Sequence, residues 1–196
     1  MTSLEQEATE PVRRARSFVL KAARVMLRIA VPDDAEAITA LINDRRVADN
    51  MVGVPHPYTL KDAEAAIAAA HGKPQLVITL MDGRVVGGCG LGMRAGYPEL
   101  GYWLGVPYWG NGYATEAART LIDFAFTNLD CTELRAGARV SNPASRRVLE
   151  KCGFQWTGVV LQRIRAINSS APSDRFRLDR GLWESLRNWG RVPSVA

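Results

Sequence analysis

Three groups of residues in this chain have the types and spacing that chemistry needs. The first is the run Trp109-Gly110-Asn111-Gly112-Tyr113-Ala114-Thr115, which follows the apolar stretch Leu100 to Val106 and leads into Thr115 to Leu129. A glycine-bearing loop that feeds a helix N-terminus presents unpaired backbone N–H groups, and the helix dipole there favours negative charge. Such a loop can hold a phosphate. Asn111-Gly112 is also a hairpin signal. The residues after it repeat at helical spacing rather than alternating, which sets the hairpin aside; tight packing without a ligand remains the competing reading of the glycines. The second group is Glu99, at the start of the preceding strand, where alternation puts it on one face with Gly101 and Trp103. The third is Asn142 and Ser145, three residues apart and so on one helical face. Asn142, followed by Pro143, reads first as a helix cap. Arg146, Arg147 and Lys151 follow on the same helix; each alone is a solvated charge.

The elements that must position these groups can be read from periodicity and punctuation. Val25 to Ile29 is a strand, and Pro32-Asp33-Asp34 opens a helix with acids in its first turn. Pro55 and Pro57 mark a loop, and Leu60 to Ala70 is a second helix stopped by Gly72 and Pro74. Leu76 to Leu80 and Arg84 to Met93 flank Asp82-Gly83 as a hairpin. Leu100 to Val106 is a third strand of this meander. Thr115 to Leu129 is a helix with Ala117, Ala118, Leu121, Ile122 and Ala125 on one face. Glu133 to Val140, Phe154 to Leu161 and Arg175 to Arg180 are strands, Asn142 to Cys152 a helix, Asn168 to Asp174 a polar loop, and Leu182 to Trp189 a closing helix. Strands running in both directions between helices predict an α+β fold, with locally parallel pairing where a helix connects two strands. Residues 1–22 show no apolar periodicity and read as a partly disordered N-terminal extension, 23–190 as one domain, and 191–196 as a tail.

Composition narrows the functions. The chain has 196 residues, 47% hydrophobic and 23% charged, which is ordinary for a globular protein. Three scattered cysteines without a CxxC pair argue against a disulfide framework or zinc ribbon and suit a reducing, cytoplasmic setting. No run of 18 apolar residues is present, so no membrane span is expected. His56 and His71 lack metal-ligand spacing, and Cys152 falls on an apolar helix face with Val148 and Leu149. The net charge of +5 conceals a basic second half, with 12 basic and 4 acidic side chains between Arg135 and Arg191. That excess attracts a polyanion, whether nucleic acid or a phosphate-rich cofactor.

The motifs resemble one family. Trp109 to Ala114 is similar to the Q/R-x-x-G-x-G/A signature of the GNAT N-acetyltransferases, and Tyr108 to Ala117 to the form found in the RimJ/RimL-like branch that modifies ribosomal proteins. Asn142-Pro143-Ala144-Ser145 followed by Leu149-Glu150-Lys151-Cys152-Gly153-Phe154 resembles the branch's next block, and Leu27-Arg28 with Pro32 to Ala35 its opening strand and helix. The resemblance covers about residues 24–190. The sequence departs from the signature at Trp109, where many members carry Gln or Arg, so an anion contact there falls to the backbone.

The resemblance implies a mixed, mostly antiparallel central sheet of about seven strands, splayed in the middle, with helices on both faces. It implies acetyl-CoA as cosubstrate and no metal. The pyrophosphate would lie on the amides of Gly110, Asn111, Gly112, Tyr113 and Ala114, with Trp109 and Thr115 also in the cofactor site, and the pantetheine against Leu104, Gly105, Val106 and Asn142. Glu99 would act as base or amine-orienting carboxylate, and Ser145 would give a proton to the CoA sulfur. Tyr58 and Trp103 would frame the acceptor, a small-molecule or peptide amine. Glu116 is a poorer acid–base candidate, because it sits in the helix's first turn beside the expected phosphates. A CoA partner also accounts for the basic excess and argues against direct nucleic-acid binding and against a membrane partner. The protein is expected to be a monomer or homodimer. A terminal α-amine, with a pKa of about 7.7–8.0, is partly neutral already; a lysine, at about 10.4, needs more help. Two rivals stay open: a CoA-binding sensor without transfer, and an RNA-binding module.

Overall fold

The computed structural model describes residues 18–69 and 75–188. Among the described residues eight strands form one sheet in the order β1-β2-β3-β4-β5-β6-β8-β7. They are β1 (Val19–Lys21), β2 (Val25–Ile29), β3 (Gln75–Leu80), β4 (Val85–Arg94), β5 (Tyr97–Leu104), β6 (Glu133–Arg139), β7 (Gln155–Ile164) and β8 (Ser169–Asp179). Every neighbouring pair is antiparallel except β5 and β6. That parallel pair is registered only at Glu99–Arg135 and Leu100–Ala136. Beyond these two positions the strands part, and the sheet opens into a wedge.

Helices cover both faces. The helices are α1 (Ala35–Ile42), α2 (Arg45–Ala48), α3 (Leu60–Ala69), α4 (Tyr113–Asn128), α5 (Pro143–Lys151) and α6 (Arg180–Asn188). The larger core lies under α4, where Ala117, Leu121, Ile122 and Phe126 meet Leu27, Ile78, Leu100, Leu134 and Phe176 of the strands. A smaller one lies on the opposite face, where Ile38 and Ile42 of α1 and Ala63 and Ile67 of α3 pack on Val77, Val85 and the buried Tyr58, with Trp103 at its edge. Alternation along β5 therefore sends Leu100 and Leu104 to the α4 face, and Glu99, Gly101 and Trp103 to the α1 face.

Two strands differ from expectation. Val19–Lys21, inside the stretch read as an extension, pairs with β2, and Phe18 stacks edge-on against Phe124 at 5.1 Å. Asn168 to Asp174, read as a polar loop, supplies the first half of β8. Polarity disguised it, because Ser173 and Asp174, on opposite faces of the sheet, are both buried and the buried apolar position beside them is the small Ala171. Asp174 is accommodated by the Trp156 indole N–H at 2.8 Å and the Arg146 guanidinium at 3.3 Å. Ala70, Gly72, Pro74 and Trp189, expected at helix ends, and the 191–196 tail lie outside the described residues.

Candidate active site

The loop between β5 and α4 has the form that free amides require. A short 3-10 turn, Val106–Tyr108, is followed by Trp109 in extended backbone. Gly110 and Gly112 then take positive φ of 77° and 81°, a region an L side chain enters only with strain. Among the described residues, the first amide after Trp109 with a recorded backbone acceptor is that of Glu116, to the Gly112 carbonyl at 3.1 Å. The amides from Gly110 to Thr115 are thus left at the loop mouth.

Arg24, just before β2, straps this loop. Its Nε and Nη2 reach Glu116 Oε2 at 2.9 and 2.8 Å, its backbone N–H donates to Glu116 Oε1 at 2.5 Å, and Nη1 donates to the Asn111 carbonyl at 3.0 Å. Burial raises the Glu116 carboxyl, but the Arg24 hydrogen bonds outweigh it and hold the group below its usual range. The acid beside the loop is thereby neutralised by an arginine that remains half-exposed.

Trp109 folds back on the end of β5 and lines the cleft. Its indole N–H donates to the Leu104 carbonyl at 2.8 Å. The Gly105 amide donates to Val86 at 2.9 Å, which makes Gly105 a hydrogen-bonded position on β4 and Leu104 a non-bonded one. The same alternation points the amides of Tyr102 and Leu104 toward the wedge. Gly105 and Val106 carbonyls accept from Tyr108 and Trp109 at 3.0 and 3.2 Å. Of the three strand-end residues expected to hold a ligand chain, Leu104 and Val106 retain amides to offer.

Across the wedge stands the start of α5. The Asn142 side-chain oxygen accepts the Ser145 amide at 3.1 Å, as a helix cap does. Ser145 Oγ lies 2.9 Å from the Tyr102 hydroxyl, which also donates to the Ser145 carbonyl at 2.9 Å. Burial pushes the Tyr102 phenol well above its ordinary range, and the Ser145 contact offsets this only in part. Tyr102 therefore keeps its proton at neutral pH. Arg146 pairs with Asp174 rather than reaching outward, whereas Arg147 and Lys151 line the cleft.

On the α1 face, Glu99 is held across the strands. Arg175 Nη1 contacts its Oε1 at 2.8 Å, and Arg94 Nε stands 3.8 Å from Oε2. The Arg175 guanidinium occupies the place a Cβ on Gly137 would need, at 2.7 Å. Gly101 is open on the same face, with nothing within 4 Å of its Cβ position. Gly101 thus leaves the sheet bare between Glu99 and Trp103, while Gly137 makes room for Arg175 between Arg135 and Arg139. Trp103 lies over Gly88, whose Cβ position is 2.6 Å from the indole Nε1. Tyr58 is buried, with its amide bonded to the Asn43 side chain at 3.0 Å, and borders the same cleft. His56 bonds the Asn43 carbonyl at 3.1 Å; His71 lies outside the described residues.

A single open cleft of ≈1740 Å³ joins these parts. It is lined by Gly110, Asn142 and Ser145 on one side and by Glu99, Trp103 and Tyr58 on the other, so it crosses the sheet through the wedge.

Residues 24–155 match the family described as the acetyltransferase (GNAT) domain. The chain belongs to the GNAT family. Among curated relatives, the N-acetyltransferase p20 of Bacillus licheniformis is 38% identical over 79 residues, 39% of this chain and 44% of that protein, so the match spans less than half of its length. YoaA of Bacillus subtilis is 28% identical over 153 residues, 74% of this chain and 86% of that one. Two solved structures share the fold. A GNAT-family acetyltransferase from Bacillus anthracis superposes with a TM-score of 0.74 at 23% identity, covering 83% of this chain and 98% of that one. RimJ of Mycobacterium smegmatis, solved with a CoA disulfide, gives 0.72 at 22% identity, covering 88% and 94%.

Cys89, Cys131 and Cys152 are buried and free, and burial pushes the Cys89 thiol up to about 12 and Cys152 to about 11. Among the described residues no helix is long and apolar enough to cross a membrane, and no three metal-ligating side chains cluster. Sequence reasoning passed over two members of the site. Arg24 carried no local signal, since its partner lies 92 residues away. Tyr102 carried no signal of its own, since its pairing with Ser145 spans 43 residues.

Proposed function

We propose that this GNAT domain transfers acetyl from acetyl-CoA to a primary amine without a covalent enzyme intermediate. The observation that carries this reading is the wedge itself. Backbone amides face it from β5, an amide-rich loop lies on one side of the sheet, and a carboxylate stands on the other.

The residues fit acetyl-CoA. The amides of Gly110 to Thr115, with Arg24, Arg147 and Lys151, would hold its phosphates, and the Leu104 and Val106 amides its pantetheine. When bound, it supplies an activated acyl carbon and a thiol leaving group; the acceptor nitrogen forms the C–N bond as the C–S bond breaks. The Leu104 amide is directed where a developing oxyanion needs a donor. Glu99 has Oε1 engaged by Arg175 and offers Oε2 to the acceptor amine. The Ser145 hydroxyl, positioned by its hydrogen bond to the protonated Tyr102, would give a proton toward sulfur and regain one from water at the open cleft; the proton lost by the amine leaves on the Glu99 side.

The motif resemblance and the fold shared with RimJ favour the RimJ/RimL-like branch, and with it a protein N-terminal α-amine as acceptor, such as that of a ribosomal protein. A small amine is the alternative. A second class of reading, CoA binding without transfer, draws on the fact that Glu99 and Ser145 both have protein partners.

Steady-state CoA release with a panel of amines separates these readings. Transfer predicts turnover that Glu99→Gln lowers by about 10²-fold, the range for a positioned acid–base group. Acetyl-CoA binding with no turnover on any amine would select the sensor reading instead.

A further inference from the structure

The acceptor side of the cleft carries more positive charge than its two acids can balance. Away from the Gly110 loop it is lined by Arg45, Arg46, Arg94, Arg139 and Arg163, against Asp49 and Glu99. Most of these cations are already engaged. Arg46 is paired with Asp44 at 2.6 Å, and Arg45 stands 3.7 Å from Asp49. Arg94 shares Glu99 with Arg175, and Arg163 donates to the Asn168 side chain.

Arg139 differs. Its Nη1 donates to the Asp49 carbonyl at 2.6 Å, which fixes the guanidinium against the end of α2. Its Nε is buried and makes no hydrogen bond. Among the described residues it has no carboxylate oxygen within 4 Å; Asp49 Oδ1, likewise buried without a hydrogen bond, stands 3.7 Å from Arg45 Nε. It lies at the open end of the wedge on the α1 face, two residues past Gly137, over which the Arg175 guanidinium rests beside Glu99. A half-buried guanidinium with an unused buried donor is costly unless something accepts from it. The most effective acceptor for a guanidinium is a carboxylate or similar oxyanion.

We propose that Arg139 receives an anionic group on the acceptor, so that the substrate is an amine carrying a carboxylate close to its nitrogen rather than a polycationic amine. This deepens the acetyltransferase reading above and rests on it. The required chemistry is shared by the α-carboxylate of a free amino acid and by an acidic side chain near a peptide N-terminus. A polyamine would bring further positive charge to a surface that already has an excess.

The test compares matched acceptors on the intact enzyme: amino acids against their amides, peptides with an acidic against a neutral second residue, and spermidine. The expected result is a kcat/KM for the acid-bearing member about tenfold or more above its neutral partner, the size of one charge-assisted hydrogen bond. Which pair shows the difference, amino acids or peptides, identifies the source of the carboxylate. Arg139→Gln should abolish the preference through KM, and Arg139→Lys should restore part of it. Calorimetric binding of the acid-bearing acceptor to protein saturated with CoA gives a readout independent of turnover. Equal or better use of amides or spermidine by the unaltered enzyme would overturn the proposal, even if an Arg139 variant fails to fold. If acetyl-CoA binds and no amine turns over, the transferase reading fails, while calorimetry still decides whether Arg139 holds a carboxylate.

Discussion

At the scale of single residues, the site is built from pairs that the chain brings together over long distances. Ser145 does not stand alone; its hydroxyl shares a hydrogen bond with the Tyr102 phenol, which burial keeps protonated. If Tyr102 holds the Ser145 hydroxyl toward sulfur, Ser145→Ala and Tyr102→Phe should each lower kcat about tenfold, and the double variant should lose little more than either single one. Pre-steady-state rates with saturating acetyl-CoA would measure this, and a fully additive double variant would separate the two hydroxyls. Asn142 was legible as a cap because capping is local and leaves a signature in three consecutive residues. Glu99 was legible as a placed carboxylate by alternation. Its clamp by Arg175 was not, because it depends on Gly137 yielding space on a strand 38 positions further along.

At the scale of elements, the loop and its strap carry the most testable chemistry. Gly112 caps α4 with φ of 81°, and a Cβ there would also approach Arg24 Nη2 at 3.3 Å. Gly112→Ala should therefore cost about 1–2 kcal/mol from the left-handed backbone alone and weaken acetyl-CoA binding, measurable by thermal unfolding with and without ligand. The Arg24–Glu116 strap gives a pH dependence. The Glu116 carboxyl sits lower in the folded protein than in the unfolded chain, whose value is about 4.3. Its stabilisation is then complete above that pH and lost as pH falls through the folded value. The unfolding temperatures of the unaltered protein and Glu116→Gln should differ at pH 7 and converge only as pH falls through the folded carboxyl's value, below the ordinary carboxylate range. A gap independent of pH would remove the carboxylate from the account. The sequence showed most elements, because hydrophobic period, Pro143 at a helix start and Asp82-Gly83 at a hairpin are local signals. It concealed the first half of β8, where Ser173 and Asp174 are polar and buried, and the three-residue β1, too short for a period to register.

At the scale of the whole molecule, the fold is a sheet interrupted where two parallel strands part after two paired positions. No sequence signal marks that divergence. It follows from α4 and α5 entering the same face on either side of it, with Ala117, Ala118, Ala136 and Leu149 buried there. The buried thiols make a further global test: with Cys89 and Cys152 raised to about 12 and about 11, native protein should react slowly with thiol reagents at pH 8, and unfolding should release three reactive groups. Rapid modification in the native state would show that the core opens readily.

The central claim, that the wedge and the Gly110–Thr115 loop together hold acetyl-CoA, is tested most directly by thermal unfolding of the intact protein with and without that compound. At one hundred times its dissociation constant a ligand stabilises by about 2.7 kcal/mol. For a chain of this length that is a rise of about 5–11 °C. The account predicts such a rise with acetyl-CoA, none with an unrelated nucleotide, and a smaller one in Arg24→Ala. An unchanged unfolding temperature at millimolar acetyl-CoA would contradict it, leaving a shared fold without the shared chemistry.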